Sequence, residues 1–452
     1  MNGSKNGQLL IKNGTICTMD DSFNIYKKCS LIVDEGIIKE IGPYEEVVKK
    51  ISPGEAKVID AGNKIIMPGM ICAHTHFYGA FSRGMALKSA PPRNFVEILD
   101  RLWWKLDKAL CEKDIFHSSL LCIADAIRHG TTTVIDHHAS PNFIGGSLDT
   151  VERACRVLGI RGSLCYEVTD RNGPKDATAG IEENVRYLRK VKEKKTGIMR
   201  GSFGLHASLT LSEDTLAKCS EEAKKLGSGF HVHVAEAESD NIKSKDRYGR
   251  SVVERFHDAG ILGPKTLASH CVHVSDDDIE LLAKSGTHVM HNPQSNMNNA
   301  VGVAPVEKMQ DAGINVGIGT DGFSHDMWRE MKFVYVLHKL SERDPRRMGG
   351  DNVLGMQNHA NAKIASVFWE RPLGVIKKGA LADIILLDYR PPTPMNSGNL
   401  PWHVQFGMDA TNVTHTIIDG KIVMEDRIIK GWNPVKMAEI SKKLAIEMWD
   451  RL

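Results

Sequence analysis

Two histidines one residue apart, His74 and His76 in PGMICAHTHFYGAFSRG, follow directly on a short apolar run, in a chain with 19 histidines among 452 residues. Side chains alternate faces along a strand, so an i, i+2 pair points the same way, and imidazole is a favoured ligand for divalent metals. The pair is either half of a metal grip or two hydrogen-bonding side chains at a strand end. Other apolar runs decide between these readings. GSGFHVHVAEAES carries His231, His233 and Glu236, TLASHCVHVS carries His270 and His273, and NVGIGTDGFSHD sets Asp321 directly after an apolar run. Any one of these alone reads as a satisfied core histidine or a helix N-cap. Together they put ligand-type residues at the ends of four strands, which is the layout of a metal site.

Strands must hold these residues, and the pattern supplies them. Apolar runs of strand length begin near Ile65, Thr131, Gly159, Gly201, Gly229, Thr266, Thr287 and Ile314. Helical stretches such as DIFHSSLLCIADAIRHG and EDTLAKCSEEAKKLG fall between them, the second closing on a glycine suited to a C-cap. Eight alternations predict an α/β fold, a (β/α)8 TIM-type barrel over residues 65–374, although a doubly wound sheet shares the alternation. Before it, QLLIKNGTICTM and CSLIVDEGIIKEIGP read as antiparallel strands with a turn at Glu35-Gly36. LADIILLDYR and VTHTIIDGKIVMEDRII repeat that texture near the C-terminus, with a turn at Asp419-Gly420. Residues 1–64 and 375–430 are therefore expected to form one composite β-sandwich domain, and residues 431–452 a terminal helix packed outside.

The order PG-x-x-x-x-HTH, H-x-H-x-x-E, SHCVH, HNPQSN and GTDG resembles the amidohydrolase superfamily. Within it the chain resembles the branch of aminohydrolases and s-triazine chlorohydrolases, and most of all the SsnA-type aminohydrolases. The resemblance implies that His74, His76, His233 and Asp321 bind one divalent metal, zinc first, with iron and manganese as alternatives. His231 then lies deeper and is structural. Glu236 matches the proton-transferring carboxylate and His270 the histidine that hydrogen-bonds the metal-bound water or substrate. His206, in GLHASLTLS, stands where the branch has a substrate-facing histidine. Binuclear relatives carry a bridging lysine at that strand, and none stands here. Arg83 recurs in the branch as a substrate or loop contact.

Three neutral imidazoles and one carboxylate leave such a metal a net positive charge and an open position, which lowers the pKa of bound water. The expected reaction is attack of metal-bound hydroxide on a C–N bond of a small nitrogen heterocycle, purine-like or pyrimidine-like. Asp321 takes the water proton, Glu236 protonates a ring nitrogen, and ammonia leaves. A ring-opening cyclic amide hydrolase acting on a purine-derived ring is the alternative, and a non-catalytic barrel scaffold a remote one.

Other residues are open to two readings. Trp103, Trp104 and Asp107 in LWWKLDK fit core packing or substrate contact; Trp103 and Asp107 are kept as substrate candidates. His137 and His138, in VIDHHASP, line the pocket or pack at a strand end, and the His291–Asn296 segment contacts substrate or starts a turn. Gly79 stands where several purine and triazine relatives carry glutamine. Phe323, Ser324, His325 and Asp326 depart from the small and amide side chains usual after GTDG, predicting a different pocket mouth.

The remaining composition argues for a plain cytoplasmic enzyme. Its 58 basic and 56 acidic residues are well mixed, which proposes neither nucleic acid nor membrane as partner and leaves a small heterocycle as the default. Nine scattered cysteines without a CxxC read as reduced thiols. MNGSKNGQLLIKNG lacks the layout of a leader, and no apolar run is long enough to span a bilayer. By analogy with the branch, a homodimer or larger homo-oligomer is expected.

Overall fold

The computed structural model describes residues 7–51, 56–194 and 197–452. Met1–Asn6, part of the stretch read above as lacking a leader, lie outside the described residues. The first strands are β1 (Gln8–Cys17), β2 (Ile25–Asp34), β3 (Ile37–Pro43), β4 (Ala56–Asp60) and β5 (Ile65–Pro68). β2 pairs antiparallel with β1 and β3, while β4 and β5 lie parallel to β1. Glu35 and Gly36 join β2 to β3 with φ of 50° and 74°, the left-handed pair of a tight hairpin turn.

The run that begins near Ile65 is two strands. It divides at Gly69: Ile65–Pro68 stays in the first sheet, and the barrel opens with β6 (Met70–Thr75). A Cβ on Gly69 would sit 2.2 Å from the Thr132 side chain, so the crossing needs glycine.

The barrel continues through β7 (Thr131–His138), β8 (Arg161–Tyr166), β9 (Met199–Gly201), β10 (Phe203–Ala207), β11 (Phe230–Val234), β12 (Leu267–His270), β13 (His288–His291) and β14 (Val316–Ile318). All its pairings are parallel. β9 and β10 are the two halves of the fourth strand, parted at Ser202, one bonded to β8 and the other to β11. Isolated parallel bridges Val168–Leu205 and Thr75–Asp321 close the ring. Helices cover it; Glu213–Leu226 begins under the Ser212 side chain and ends at Gly227 with φ of 58°, as its sequence predicts.

The last four strands, β15 (Ile384–Leu387), β16 (Val413–Ile418), β17 (Lys421–Glu425) and β18 (Ile428–Ile429), rejoin the first sheet through β15 on β5. The composite β-sandwich domain is thus one nine-stranded ladder drawn from both chain ends. Its core includes Ile11, Ile16, Leu31, Ile66, Ile384, Leu386 and Ile417, all fully buried. Arg161 of β8 fastens it to the barrel: its Nε and Nη2 reach the Asp383 carboxylate at 2.7 and 2.9 Å, both side chains 1% exposed. The C-terminal helix Pro434–Trp449 lies on the helix Glu112–Arg128, and Trp449 Nε1–H donates to Phe81 O at 2.9 Å. All nine cysteines are free, and among the described residues no helix is long and apolar enough to cross a membrane.

Candidate active site

The strand ends bring the predicted residues together. His74 comes from β6 and His76 directly follows it, His233 comes from β11, His270 from the end of β12, and Asp321 follows β14. Donor atoms of His74, His233, His270 and Asp321 all lie within 4.8 Å of one another. His76 Nε2 is 3.0 Å from Asp321 Oδ1 and 3.3 Å from His233 Nε2. Gly319 makes the approach of the last strand to the first possible, because a Cβ there would lie 2.8 Å from His74 Cβ. Ala235, His270 and Asp321 hold φ of 45°, 75° and 55°, left-handed values that cost non-glycine residues roughly 1–3 kcal/mol each and gather here at the strand ends.

Hydrogen bonds set which ring nitrogen of each histidine is free. His76 Nδ1–H donates to His137 O at 2.6 Å and His233 Nδ1–H to His206 O at 2.9 Å. Asn296 Oδ1 accepts from His270 Nδ1 at 2.9 Å. Since carbonyl oxygens only accept, Nε2 carries the lone pair whenever the ring is neutral, as it is when bound to a cation. His74 Nδ1 lies 2.8 Å from His231 Nε2, and its own Nε2 faces the cluster. Nε2 of His74 and of His270 are buried without any hydrogen-bond partner. Burial holds His74 down to about 3, while His76, which burial would lower, is raised to about 9 by the Asp321 carboxylate. Converging lone pairs, orphaned buried nitrogens and one carboxylate that draws a positive charge into the cluster fit a divalent cation.

Glu236 sits beside this cluster, Oε2 3.4 Å from His270 Nε2 and Oε1 accepting from Asn299 Nδ2 at 3.3 Å. Burial, with Asp321 and Asp240 nearby, pushes its carboxyl well above the ordinary range. HNPQSN proves more than a turn initiator. Helix Pro293–Asn298 brings Ser295 Oγ–H to Asp321 Oδ2 at 2.5 Å and Asn296 to His270, and Asn299 at its end reaches Glu236. His291, by contrast, is buried against His338, Nε2 to Nε2 3.2 Å.

The pocket is lined by Tyr78, Phe95, Leu99, Trp103 and Trp104 together with Asp107, Glu167 and His206, and the Trp104 ring lies edge-on to His206 at 6.3 Å. Trp103 closes a π-helical turn, Leu99–Trp103, and its ring lies between Gly79 and Gly322. A Cβ on Gly79 would touch Trp103 Cζ3 at 3.4 Å, so the tryptophan fills the room a longer side chain would need. Asp107 pairs with Arg171, which stacks over Trp104 with 5.4 Å to the ring centroid. Asp107 Oδ1 and Arg171 Nε and Nη1 remain buried without partners. Burial lifts Asp107 to about 6 against the opposing guanidinium. His206, 7% exposed, is lowered by burial to about 4.

The other candidates stand off the pocket lining. Arg83 is exposed at the end of the turn Phe77–Ser82 and is not among the residues lining the pocket. Ser324 and His325 do not reshape the mouth; both bond Asp125 Oδ2, at 2.8 and 2.9 Å, and Asp326 caps the helix Met327–Glu342. His138 packs behind the wall on Ser140 Oγ at 2.9 Å, and His137 lies under His76 and Glu167. Sequence reasoning passed over Glu167, Arg171 and Asn299, whereas Ser295 falls inside the flagged segment His291–Asn296. Glu167 carried a signal, since it follows the apolar end of β8 much as Asp321 follows β14.

The pattern described as the amidohydrolase family matches residues 65–423. The chain is 34% identical over 448 residues to a 5'-deoxyadenosine deaminase of Methanosarcina mazei, covering 98% of this chain and 99% of that protein. It is 30% identical over 452 residues to a 5-methylthioadenosine/S-adenosylhomocysteine deaminase of Syntrophobacter fumaroxidans, covering 98% and 99%. Among solved structures, a zinc-bound adenosine deaminase from Xanthomonas campestris superposes with a TM-score of 0.85 at 21% identity, covering 97% of this chain and 98% of that one. The zinc complex of atrazine chlorohydrolase TrzN from Arthrobacter aurescens superposes with a TM-score of 0.80 at 19% identity, covering 97% and 100%.

Proposed function

The chain belongs to the amidohydrolase family, and on that premise we propose that it is a metal-dependent aminohydrolase, exchanging an amino group on a small nitrogen heterocycle for oxygen with release of ammonia. The carrying observation is a carboxyl group, Glu236, set at the rim of a cluster of inward lone pairs, where one group can donate a proton while another accepts one.

His74, His76, His233 and Asp321 would hold the metal. When bound, a divalent cation there supplies Lewis acidity that makes water a nucleophile near neutral pH. The protein's own groups do the rest. Asp321, steadied by Ser295, accepts the proton of the attacking water. Glu236, steadied by Asn299, hands a proton to the ring nitrogen beside the attacked carbon, so that negative charge does not build up on the ring. His270 faces the same point with a free Nε2. The amino group takes the proton held by Asp321 and departs as ammonia, while the new hydroxyl returns its proton to Glu236 and the ring keeps a carbonyl. Trp103 and Trp104 bound the ring's face, His206 meets its edge, and the unpartnered Oδ1 of Asp107 offers an acceptor to a polar group of the substrate. The adenine-nucleoside activities named for the relatives support an aminopurine-like ring.

A screen of aminopurines and aminopyrimidines for ammonia, with product mass and metal content read on the same sample, tests the reading. Ammonia with an intact oxo ring is expected; a product bearing a new carboxylate would replace deamination by ring opening. A homo-oligomer in the cytoplasm completes the proposal. It is supported by the exposed aromatic pair Trp402 and Phe406, 42% and 72% exposed, which suits a subunit contact, and by the nine free thiols. Mass in solution tests the first part.

A further inference from the structure

Glu167 takes no part in the chemistry above, yet it stands in the pocket, 4% exposed, directly after β8. Its Oε1 is 3.8 Å from His206 Nε2 and its Oε2 3.3 Å from His137 Nδ1. Neither ring offers it a well-aligned proton. Thr210 gives its hydroxyl hydrogen to Ala207 O at 3.2 Å and so accepts from His206 Nδ1–H at 2.6 Å, leaving a lone pair on His206 Nε2. His137 directs Nε2–H at Leu205 O and His231 O, 3.0 and 3.1 Å away, and its Nδ1 has no hydrogen-bond partner. The nearest guanidinium, Arg171, is paired with Asp107. The pocket therefore presents Glu167 and His206 together as acceptors with nothing to accept.

Their position limits what could supply the donor. A Glu167 oxygen and ring nitrogens of His206 and His233 lie within 4.8 Å of one another, so Glu167 borders the reacting centre itself. A group there meets the substrate's ring, not a substituent carried farther out. Apart from its amino group, adenine substituted at N9 shows only lone pairs along its edges, at N1, N3 and N7. Those would oppose the lone pairs of Glu167 and His206.

Resting on the aminohydrolase reading, we infer that Glu167 and His206 select a heterocycle with an N–H donor on the ring edge facing them, as in an oxo-aminopurine, over a 9-substituted adenine. Glu167 is on this view a specificity residue. A site built around a hydrogen bond rejects the analogue that lacks it by far more than a hydrophobic pocket can, commonly a hundredfold or more.

The test uses the metal-loaded full chain and four probes: isoguanine and 8-oxoadenine, which carry ring N–H groups, and adenosine and 5'-deoxyadenosine, which do not. Affinity by calorimetry, ammonia release and metal per chain are read for the wild type and for Glu167→Gln, whose amide can donate. The wild type should bind at least one N–H probe roughly tenfold or more tighter than either nucleoside. Glu167→Gln should shrink that preference at least about tenfold, with metal per chain unchanged. Glu167→Asp keeps the charge but withdraws it, and should weaken the N–H probe without improving the nucleosides; it also serves if the glutamine variant does not fold. Nucleoside preference in the wild type, or equal preference in wild type and variants, overturns the inference. So does metal loss in Glu167→Gln, which would make Glu167 a ligand of a second cation shared with His206. Preferential binding of an N–H probe without ammonia release sinks the aminohydrolase reading and leaves the recognition role standing.

Discussion

His74 Nδ1 and His231 Nε2 lie 2.8 Å apart, linking the first barrel strand to the fifth one layer below the lone-pair cluster. The two histidines of HVH therefore differ in kind: His233 presents Nε2 to the cluster, and His231 orients a neighbour that does. His233→Ala should strip most of the metal from the purified protein. His231→Asn should weaken retention more modestly, by about 10- to 100-fold in affinity, as outer partners of metal ligands do. Metal-to-protein ratios after graded chelation distinguish the two, and equal loss would show the roles misassigned.

Glu236→Gln keeps the shape of the side chain and removes its capacity to shuttle a proton. Turnover should fall at least about a hundredfold with metal content near normal. Retained activity would remove Glu236 from the chemistry.

Asn299 touches Glu236 and Ser295 rather than the reacting atoms, so Asn299→Ala should act on orientation. We expect kcat to fall by roughly tenfold with KM little changed and metal retained, the signature of a contact that matters mainly in the transition state. Asn299→Gln should recover part of it. A change in KM alone would place Asn299 in substrate binding instead.

Removing Asp383 from the buried Arg161–Asp383 pair leaves the guanidinium between barrel and β-sandwich with only the part-exposed Asp419 carboxylate, 3.2 Å from Nη2. Asp383→Ala should cost about 3–5 kcal/mol of stability, and the double change Arg161→Met, Asp383→Leu clearly less. Urea unfolding of the two variants measures this; equal cost would mean that the residues act by packing alone.

His288, at the start of β13 and away from the pocket, accepts from Asn315 Nδ2 at 3.1 Å and is lowered to about 4 by burial and by Lys363. Its folded value lies below the unfolded value of about 6.5, so the unfolded chain binds the proton first. Its contribution is complete above pH 6.5 and is lost as pH falls toward 4, by roughly 3 kcal/mol at most. Urea midpoints at pH 7 and pH 5 should converge partly in His288→Gln, and an unchanged acid sensitivity would show that other groups set it.

What could be read beforehand followed from local rules. Strand alternation and the position of ligand types after apolar runs put forward His74, His76, His231, His233, His270, His273 and Asp321, the choice of His233 over His231 and of His270 over His273 came from the family resemblance, and left-handed turns marked Glu35-Gly36 and Asp419-Gly420. The residues that escaped depend on distance in three dimensions. Arg171 matters because it meets Asp107, 64 residues away, and Asn299 because it meets Glu236, 63 residues away. Nothing in either local sequence announces those meetings. Gly79 shows the converse: its departure from the relatives was visible at once, but its reason, the Trp103 ring lying over it, needed the fold.

The nine-stranded ladder also sets a timetable. β5 ends at Pro68, and the strand that covers its open edge begins at Ile384. At about 5–20 residues per second, a ribosome needs roughly 15 to 60 s to make what lies between. For that interval a nascent sheet with an uncovered apolar edge hangs outside the tunnel while the barrel condenses beside it. The most exposed moment of this sheet is therefore its synthesis, when the apolar edge of β5 stands open until β15 arrives to cover it.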